Sequence, residues 1–273
     1  MAQQHTVARD FVVHGVGLHT GKEAVVRVSA APAGAGRVFV VGGVEIPAAL
    51  DAVVDTRLAT TLGRGAARVM MVEHLLAAMQ AAGVDNARIE VDGPEVPVLD
   101  GSARTWVSAL AHAGLSAQGA VRAPMTVERV IRVESGDAWA ELHPASGFEV
   151  DVTIDFPHPQ IGRQRWCGPV TGAHFEAIAA ARTFGFRADA ERLWASGLAR
   201  GASLDNTVVY DENGVMNPGG LRCVDEAVRH KALDAVGDAA LLGAPIIGRL
   251  CGYKAGHALH RALFEAYKAT ALR

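Results

Sequence analysis

One stretch of this chain, residues 229–243, has the pattern of a helix with a narrow line of ionisable side chains on a mostly apolar cylinder. At about 100° per residue, His230, Asp234 and Asp238 fall within a wedge roughly 80° wide. Small and apolar side chains occupy most of the remaining circumference. A surface helix has the opposite pattern, a narrow apolar stripe on a polar cylinder. We therefore expect the ionisable line to face an enclosed site.

Two interpretations of this line fit its spacing. Buried carboxylates and imidazoles are tolerated where they pair, form hydrogen bonds or bind a metal. His230 and Asp234 could form an ordinary i, i+4 pair on a half-exposed helix, or they could be two ligands of one metal ion. The spacing alone leaves both interpretations open.

Composition narrows the class of protein. The 273 residues, half of them hydrophobic, are enough for one large domain or two modest ones. The net charge is −3, and no stripe of Lys and Arg interleaves with aromatic residues, which argues against nucleic acid as the main partner. Cys167, Cys223 and Cys251 form no CxxC motif, which argues against a disulfide framework and a thiolate zinc site.

The sequence predicts neither an export signal nor a membrane span. Residues 1–6 do not combine a basic segment with a following apolar core, and no apolar run approaches the roughly 18 residues of a membrane span. We expect a cytoplasmic protein without a transmembrane segment, and we expect it to be a monomer.

The order of predicted elements is similar in the two halves of the chain. Each half has a run of strands and then finishes as helix, strand, loop and helix. In the first half the helices are predicted at 71–82 and 102–113, with strands within 6–43 and at 87–91. In the second half strands are predicted at 125–133, 138–142, 148–156, 207–210 and 246–253, and helices at 175–181, 188–196, 229–243 and 258–271.

A composition shift near residues 116–124 separates these halves. We predict an α+β fold of two similar two-layer α/β sandwich domains, residues 1–118 and 124–273, with a linker at 119–123.

Candidate parts of a hydrolytic metal site occur in both halves. Such a site needs about three protein ligands, a base for the attacking water and a group that stabilises the intermediate. His230 and Asp234 share one helix face, His74 could supply a third ligand, and Glu73 beside it could serve as the base. A single histidine on a helix is more often structural, so metal ligation by His74 is a hypothesis.

Several ordered motifs identify a family resemblance along nearly the whole chain. The chain resembles the UDP-3-O-acyl-N-acetylglucosamine deacetylases (the LpxC family), zinc-dependent amidases of lipid A synthesis. The motifs are GVGLHTG at 15–21, VEHL at 72–75, DGSA at 100–103, ARTFGF at 181–186, RHK at 229–231 with Asp234 and Asp238, and GHAL at 256–259.

The resemblance implies a fold, a substrate and a set of roles. Two α+β sandwiches would hold the active site between them, and the substrate would be UDP-3-O-acyl-N-acetylglucosamine. The implied zinc ligands, with Fe²⁺ as the alternative metal, are His74, His230 and Asp234. The other implied roles are a water-activating base at Glu73, a protonated oxyanion stabiliser at His257 held by Asp238, a substrate hydroxyl contact at Thr183, a substrate-binding cation at Lys231, and an apolar acyl passage at Phe184 and Leu18.

One segment departs from the family pattern. After Phe186, where the family has more apolar positions, this chain has Arg187 and Ala190. We expect a smaller and more polar lining there, with a changed preference for acyl-chain length.

Two alternatives to a deacetylase follow from the residues. Two histidines and one carboxylate also describe the non-haem iron(II) oxygenases, although a carboxylate base beside a ligand favours hydrolysis. The chain could instead be a non-catalytic nucleotide-sugar-binding module with a structural metal, although structural zinc usually takes four ligands with thiolates prominent.

Overall fold

The structure, a computed structural model, describes residues 2–271 and contains six α-helices and 19 strands in that range. The helices are α1 Glu73–Ala82, α2 Arg104–Ala113, α3 Gly172–Ala179, α4 Ala190–Ala195, α5 Glu226–Ala239 and α6 His257–Ala271. The first ten strands are β1 Gln3–Val7, β2 Phe11–Val16, β3 Glu23–Ala30, β4 Arg37–Val41, β5 Val44–Pro47, β6 Val53–Asp55, β7 Thr61–Arg64, β8 Ala67–Val69, β9 Ala87–Asp92 and β10 Leu115–Val121. The other nine are β11 Met125–Thr126, β12 Ile131–Ser135, β13 Ala138–His143, β14 Phe148–Phe156, β15 Gly162–Pro169, β16 Phe184–Phe186, β17 Val208–Asp211, β18 Gly214–Val215 and β19 Ile246–Tyr253.

The two larger sheets share one strand order. The first is β2-β3-β9-β4-β5, and the second is β12-β13-β19-β14-β15, with the short β11 also paired to β19. In each sheet the last strand in sequence lies between two hairpins, antiparallel to one neighbour and parallel to the other. This repeated topology confirms the predicted α+β plan of two similar units.

Helices from the two halves pack against each other. Every residue of α5 except Arg229 and Lys231 is buried, and α5 contacts α1 as well as strand β14. Gly237 makes the close approach between the helices possible, because a Cβ at this position would lie 2.1 Å from the Glu73 carbonyl oxygen. One continuous hydrophobic core joins both halves. Among the described residues, no helix is long and apolar enough to cross a membrane.

The region of the predicted linker is partly strand. β10 pairs with β1, and its last residue, Val121, lies opposite Gln3. Of the predicted linker 119–123, only Arg122 and Ala123 lie outside a strand. The division of the chain into domains 1–118 and 124–273 remains a proposal.

The strand predictions succeeded where apolar and polar residues alternate. β14 and β19 have the predicted bounds. β19 buries every second residue, and β14 does so from Val150 to Ile154. The predicted strand 125–133 is instead divided into β11 and β12, because the chain first pairs with β19 and then moves to β13. β15 was missed because its sequence, GRQRWCGP, has no regular apolar alternation.

Candidate active site

The ionisable line of α5 is buried, as the inverted helical pattern predicts. His230, Asp234 and Asp238 are only 3%, 4% and 3% exposed. They face α1 and α6, which bring further ionisable side chains to the same place. The burial decides against the half-exposed surface pair that the spacing had left open.

His74 from α1 joins two of these residues. Its Nε2 lies 3.6 Å from Asp234 Oδ1, and His230 Nε2 lies 3.4 Å from the same oxygen. Potential ligand atoms of all three residues lie within 4.8 Å of one another. Within residues 2–271, this is the only group of three or more His, Cys, Asp or Glu side chains with that property.

Hydrogen bonds and burial leave these groups in charge states that could bind a metal ion. His230 Nδ1 lies 3.1 Å from the Ala181 carbonyl oxygen, which only accepts, so the proton is on Nδ1 and the Nε2 lone pair is free. Burial lowers the pKa of His230 to about 4, so the imidazole is neutral near pH 7. Burial disfavours the Asp234 carboxylate, but contacts with His230 and Lys231 outweigh it and hold the pKa of Asp234 well below its usual range.

The donor set fits a zinc ion. Zinc prefers imidazole nitrogen and carboxylate oxygen at about 2.0–2.2 Å, which in a tetrahedral site separates ligand atoms by roughly 3.3–3.6 Å. The two Nε2 to Oδ1 distances, 3.6 and 3.4 Å, agree with this separation. Three protein ligands leave a position for water or substrate, as catalytic sites require.

Glu73 is the first residue of α1 and lies beside this group. Its side chain is buried, and its Oε2 accepts a hydrogen bond of 3.1 Å from the Thr60 backbone N–H. Burial raises the pKa of the Glu73 carboxyl, against the opposing effect of the His257 and His74 imidazoles. A carboxylate with a raised pKa accepts a proton more readily, which suits a general base.

His257, the first residue of α6, faces Glu73 across the site. Its Nε2 lies 3.9 Å from Glu73 Oε1, and its Nδ1 lies 2.8 Å from Asp238 Oδ2. Burial alone would lower the pKa of His257, but the charge and hydrogen bond of Asp238 outweigh burial and raise the pKa to about 9. The imidazole is therefore protonated and positively charged near pH 7.

A cavity of about 300 Å³ collects the predicted residues. It is lined by Glu73, His257 and all three members of the metal group, and by Thr183, Phe184, Leu18 and Lys231. Asp238 does not line the cavity and instead lies behind His257, joined to it by the hydrogen bond. The aromatic wall includes the Phe184 ring, whose centroid is 6.3 Å from that of His230.

Thr60 is a site residue that the sequence did not reveal. Its backbone N–H donates to Glu73, and its hydroxyl donates to Asp238 Oδ1 at 2.7 Å and lies 3.3 Å from His257 Nδ1. Thr60 therefore contacts both Glu73 and the hydrogen-bonded pair of Asp238 and His257. Thr60 belongs to no recognisable motif, and only the fold brings it to α5 and α6.

Glu95 was also missed, and it holds the glycine-rich loop 15–21. Its fully buried carboxylate accepts hydrogen bonds from the backbone N–H groups of His19 and Thr20 and from the Thr20 hydroxyl, at 2.8–2.9 Å. A Cβ at Gly17 would lie 2.3 Å from Glu95 Oε2, so the loop needs glycine there. A single acidic residue among apolar residues and prolines was the available signal.

A buried ion pair fixes the backbone that supports His230. Glu226, at the start of α5, accepts hydrogen bonds from the Arg182 backbone N–H at 3.0 Å and from its guanidinium at 2.8 and 3.1 Å. Arg182 follows Ala181, whose carbonyl accepts from His230, and precedes Thr183 in the cavity wall. The ARTFGF motif thus contributes to the site through its backbone and through Thr183 and Phe184.

Beyond Phe186, the cavity adjoins a second one of about 260 Å³. Arg187 and Ala190 line this second cavity, together with the mostly apolar side chains Leu193, Trp194, Leu204, Val209 and Met216. Ala202 lines both cavities. Arg187 and Ala190, where the chain departs from the family pattern, therefore line the second cavity and not the first.

Comparisons with known proteins agree on one family. A family model described as LpxC: UDP-3-O-acyl N-acetylglycosamine deacetylase matches residues 4–269. Proteins named UDP-3-O-acyl-N-acetylglucosamine deacetylase are 50% identical over 263 residues in Anaeromyxobacter sp. (95% of this chain, 86% of that protein) and 46% identical over 265 residues in Myxococcus xanthus (95% and 84%). The protein of that name from Brucella melitensis is 44% identical over 274 residues (98% and 95%).

Proposed function

The chain belongs to the UDP-3-O-acyl-N-acetylglucosamine deacetylase (LpxC) family, and on this premise we propose that His74, His230 and Asp234 hold a zinc ion. The enzyme hydrolyses the N-acetyl amide of UDP-3-O-acyl-N-acetylglucosamine in lipid A biosynthesis, which yields acetate and a free glucosamine amine. The observation that carries the proposed site is the convergence of three potential ligand atoms within 4.8 Å, beside Glu73 and opposite His257.

The proposed chemistry divides between the metal and the protein. Zinc held by His74, His230 and Asp234 would supply Lewis-acid chemistry, which would polarise the amide carbonyl and lower the pKa of a bound water. Glu73 takes a proton from the attacking water as the new carbon–oxygen bond forms. His257, positively charged, faces the carbonyl oxygen and stabilises the negative charge that develops there. The carbon–nitrogen bond then breaks, and the leaving amine takes a proton from His257 or from Glu73.

The side chains around this centre position the substrate. We propose that the Thr183 hydroxyl hydrogen-bonds the carbonyl region of the substrate. Phe184 and Leu18 line the apolar part of the cavity and would contact the acyl chain, which extends towards the second cavity beyond Phe186. Apolar walls suit this chain because each buried methylene stabilises binding by about 0.8 kcal/mol.

A groove that adjoins the site suits the nucleotide end of the substrate. This groove, of about 560 Å³, is lined by Lys231 from α5 and by His257 and Ala258 from the first turn of α6. Backbone N–H groups at a helix N-terminus attract anions, and the Lys231 ammonium adds a positive charge. We propose that the pyrophosphate of the substrate lies there, with Lys231 as its cation.

The family assignment decides between the alternatives left open by the residues. An oxygenase would consume oxygen, whereas the family to which the chain belongs consists of hydrolases. A purely structural metal would leave the buried Glu73 and His257, which face each other at 3.9 Å, without a role.

The oligomeric state and the location of the enzyme are also proposed. All residues proposed for the reaction come from one chain, so we propose that the enzyme acts as a monomer. We propose a cytoplasmic location because the substrate is a nucleotide sugar.

Metal analysis combined with a deacetylation assay tests the proposed function. The purified protein should contain zinc, and it should release acetate from UDP-sugars that carry an N-acetyl group and a 3-O-acyl chain of suitable length. If the protein contained iron and had the same turnover, the proposed metal would be wrong and the proposed reaction would still be supported. Turnover that requires oxygen would contradict the proposed hydrolytic reaction.

A further inference from the structure

Asp238 has a second imidazole partner besides His257. His260 lies one turn further along α6, and its Nδ1 is 2.8 Å from Asp238 Oδ2, the same oxygen and the same distance as for His257. Thr60 donates to the other oxygen at 2.7 Å. All four side chains are at least nine-tenths buried, with His260 only 2% exposed.

The charge state of Asp238 determines the direction of both contacts. Burial disfavours the carboxylate, but the charges and hydrogen bonds of His257 and His260 hold the pKa of Asp238 far below its usual range. An ionised carboxylate only accepts hydrogen bonds. His257 and His260 therefore both carry a proton on Nδ1 and donate it to one oxygen.

Packing fixes the His260 ring in this position. The ring lies 6.4 Å, centroid to centroid, from the ring of Phe264, one turn further along α6 and fully buried. His257 and His260, spaced i and i+3, lie on one face of the first turn. The carboxylate at the end of α5 is thus held between two rings on one rigid helix.

We propose that His260 is a positioning residue for the deacetylation reaction: its Nδ1–H fixes the Asp238 carboxylate that orients His257 towards Glu73. This inference rests on the proposed function, because it assigns His260 to the support of the proposed oxyanion stabiliser. His260 does not line the cavity and is not expected to touch substrate.

The shared carboxylate also makes His260 an electrostatic partner of His257. A second donor to Oδ2 withdraws negative charge that would otherwise hold the His257 proton. Other ionisable groups line the spaces around His257. They are Glu73 and His74 from α1, His230, Lys231 and Asp234 from α5, His19 from the glycine-rich loop, and Glu134 from β12. None of these is altered when His260 is replaced.

A matched pair of variants tests the proposal. His260→Asn keeps an N–H donor at the position of Nδ1, whereas His260→Leu has similar bulk and no donor. We expect His260→Leu to lower kcat roughly 10-fold at neutral pH with little change in KM, since second-layer support of a site typically contributes 10–100-fold. The alkaline limb of its pH profile should move up by about 0.5–1 pH unit, because Asp238 then binds the His257 proton more tightly. His260→Asn should restore kcat and the wild-type limb.

An NMR measurement on the metal-free protein provides a test that needs no turnover, and its first part needs only the wild type. Side-chain ¹⁵N spectra should show His260 protonated on Nδ1, and in His260→Leu the titration midpoint of His257 should be higher than in wild type. A wild-type His260 that is protonated on Nε2 alone would overturn the proposal. The proposal would also be contradicted if His260→Leu matched wild type in both its pH profile and the titration of His257. A kcat of His260→Asn as low as that of His260→Leu would contradict it too. Failure of the deacetylase assay with the expected NMR result would instead contradict the proposed function.

Discussion

His257 and Asp238 form a buried ion pair, with Nδ1 2.8 Å from Oδ2, that joins the first turn of α6 to the last turn of α5. The carboxylate lies behind the imidazole, so the remaining nitrogen, Nε2, faces Glu73 and the cavity. A positive charge is thereby held at one wall of a site whose opposite wall carries a carboxylate and the proposed metal ligands.

Replacement of Asp238 by Asn should change the pH profile asymmetrically. The pKa of His257 is raised to about 9 chiefly by Asp238 against burial, so its protonated form is present below that pH and is lost above it. Without the negative charge, the alkaline limb of kcat should move down by at least about two pH units. A bound divalent cation lowers the limb in both proteins and leaves the direction of the difference unchanged. Asp51→Asn, at an exposed carboxylate, is the matched control, and an unshifted limb in Asp238→Asn would refute the role of the pair.

Replacement of Glu73 by Gln should separate catalysis from metal binding. The amide keeps an oxygen that can accept from the Thr60 backbone N–H but cannot take a proton from water. We expect kcat to fall by about 10²–10⁴-fold, the usual contribution of a general base, with the metal content unchanged. Steady-state kinetics and metal analysis on the same preparation measure both quantities. Glu90→Gln controls for the loss of a carboxylate on the surface, and wild-type turnover in Glu73→Gln would exclude Glu73 as the base.

Gly237→Ala should destabilise the contact between α1 and α5. The added Cβ would lie 2.1 Å from the Glu73 carbonyl oxygen and 2.7 Å from its carbon, so the two helices must separate. Overpacking of this kind typically lowers the free energy of unfolding by about 1–3 kcal/mol. Because the displaced residue is Glu73, kcat should fall as well. Urea unfolding compared with Gly119→Ala, where a Cβ meets open space, measures the effect; equal stability of the two variants would show that the helices tolerate the methyl group.

Ala202→Leu should alter the preference for acyl-chain length. Ala202 is among the residues that line both the active-site cavity and the second cavity beyond Phe186, so a larger side chain would fill space at their shared boundary. We expect kcat/KM to fall roughly 10-fold for substrates whose acyl chains cross this point, since about two lost methylene contacts correspond to that factor. Shorter acyl chains should be hydrolysed as before. Ala195→Leu, at an exposed position on α4, is the control, and a uniform loss across chain lengths would place the acyl chain elsewhere.

Periodicity predicted the parts of the fold in which each residue's environment follows from its own sequence neighbours. The α5 line and the strands β14 and β19 were predicted because their burial alternates with a fixed period. β10, with few apolar residues, was interpreted as a boundary region because its pairing with β1 involves residues more than a hundred positions apart.

The candidate site divides in the same way. Glu73, His74, His230 and His257 lie within short motifs that the family resemblance identifies. Thr60 lies in no such motif. The three side chains that it contacts, Glu73, Asp238 and His257, come from three different helices. Their convergence depends on tertiary packing, which no local pattern in the sequence records.

The most direct test of the central claim is a titration of the chelator-treated, metal-free enzyme with Zn²⁺ while deacetylation is recorded. We expect no turnover at the start, and a rise in proportion to bound zinc that ends at one ion per chain. His74→Ala, folded but lacking one proposed ligand, should neither retain zinc after dialysis nor recover turnover. Full turnover by the metal-free enzyme, or wild-type zinc retention by His74→Ala, would contradict the proposed site.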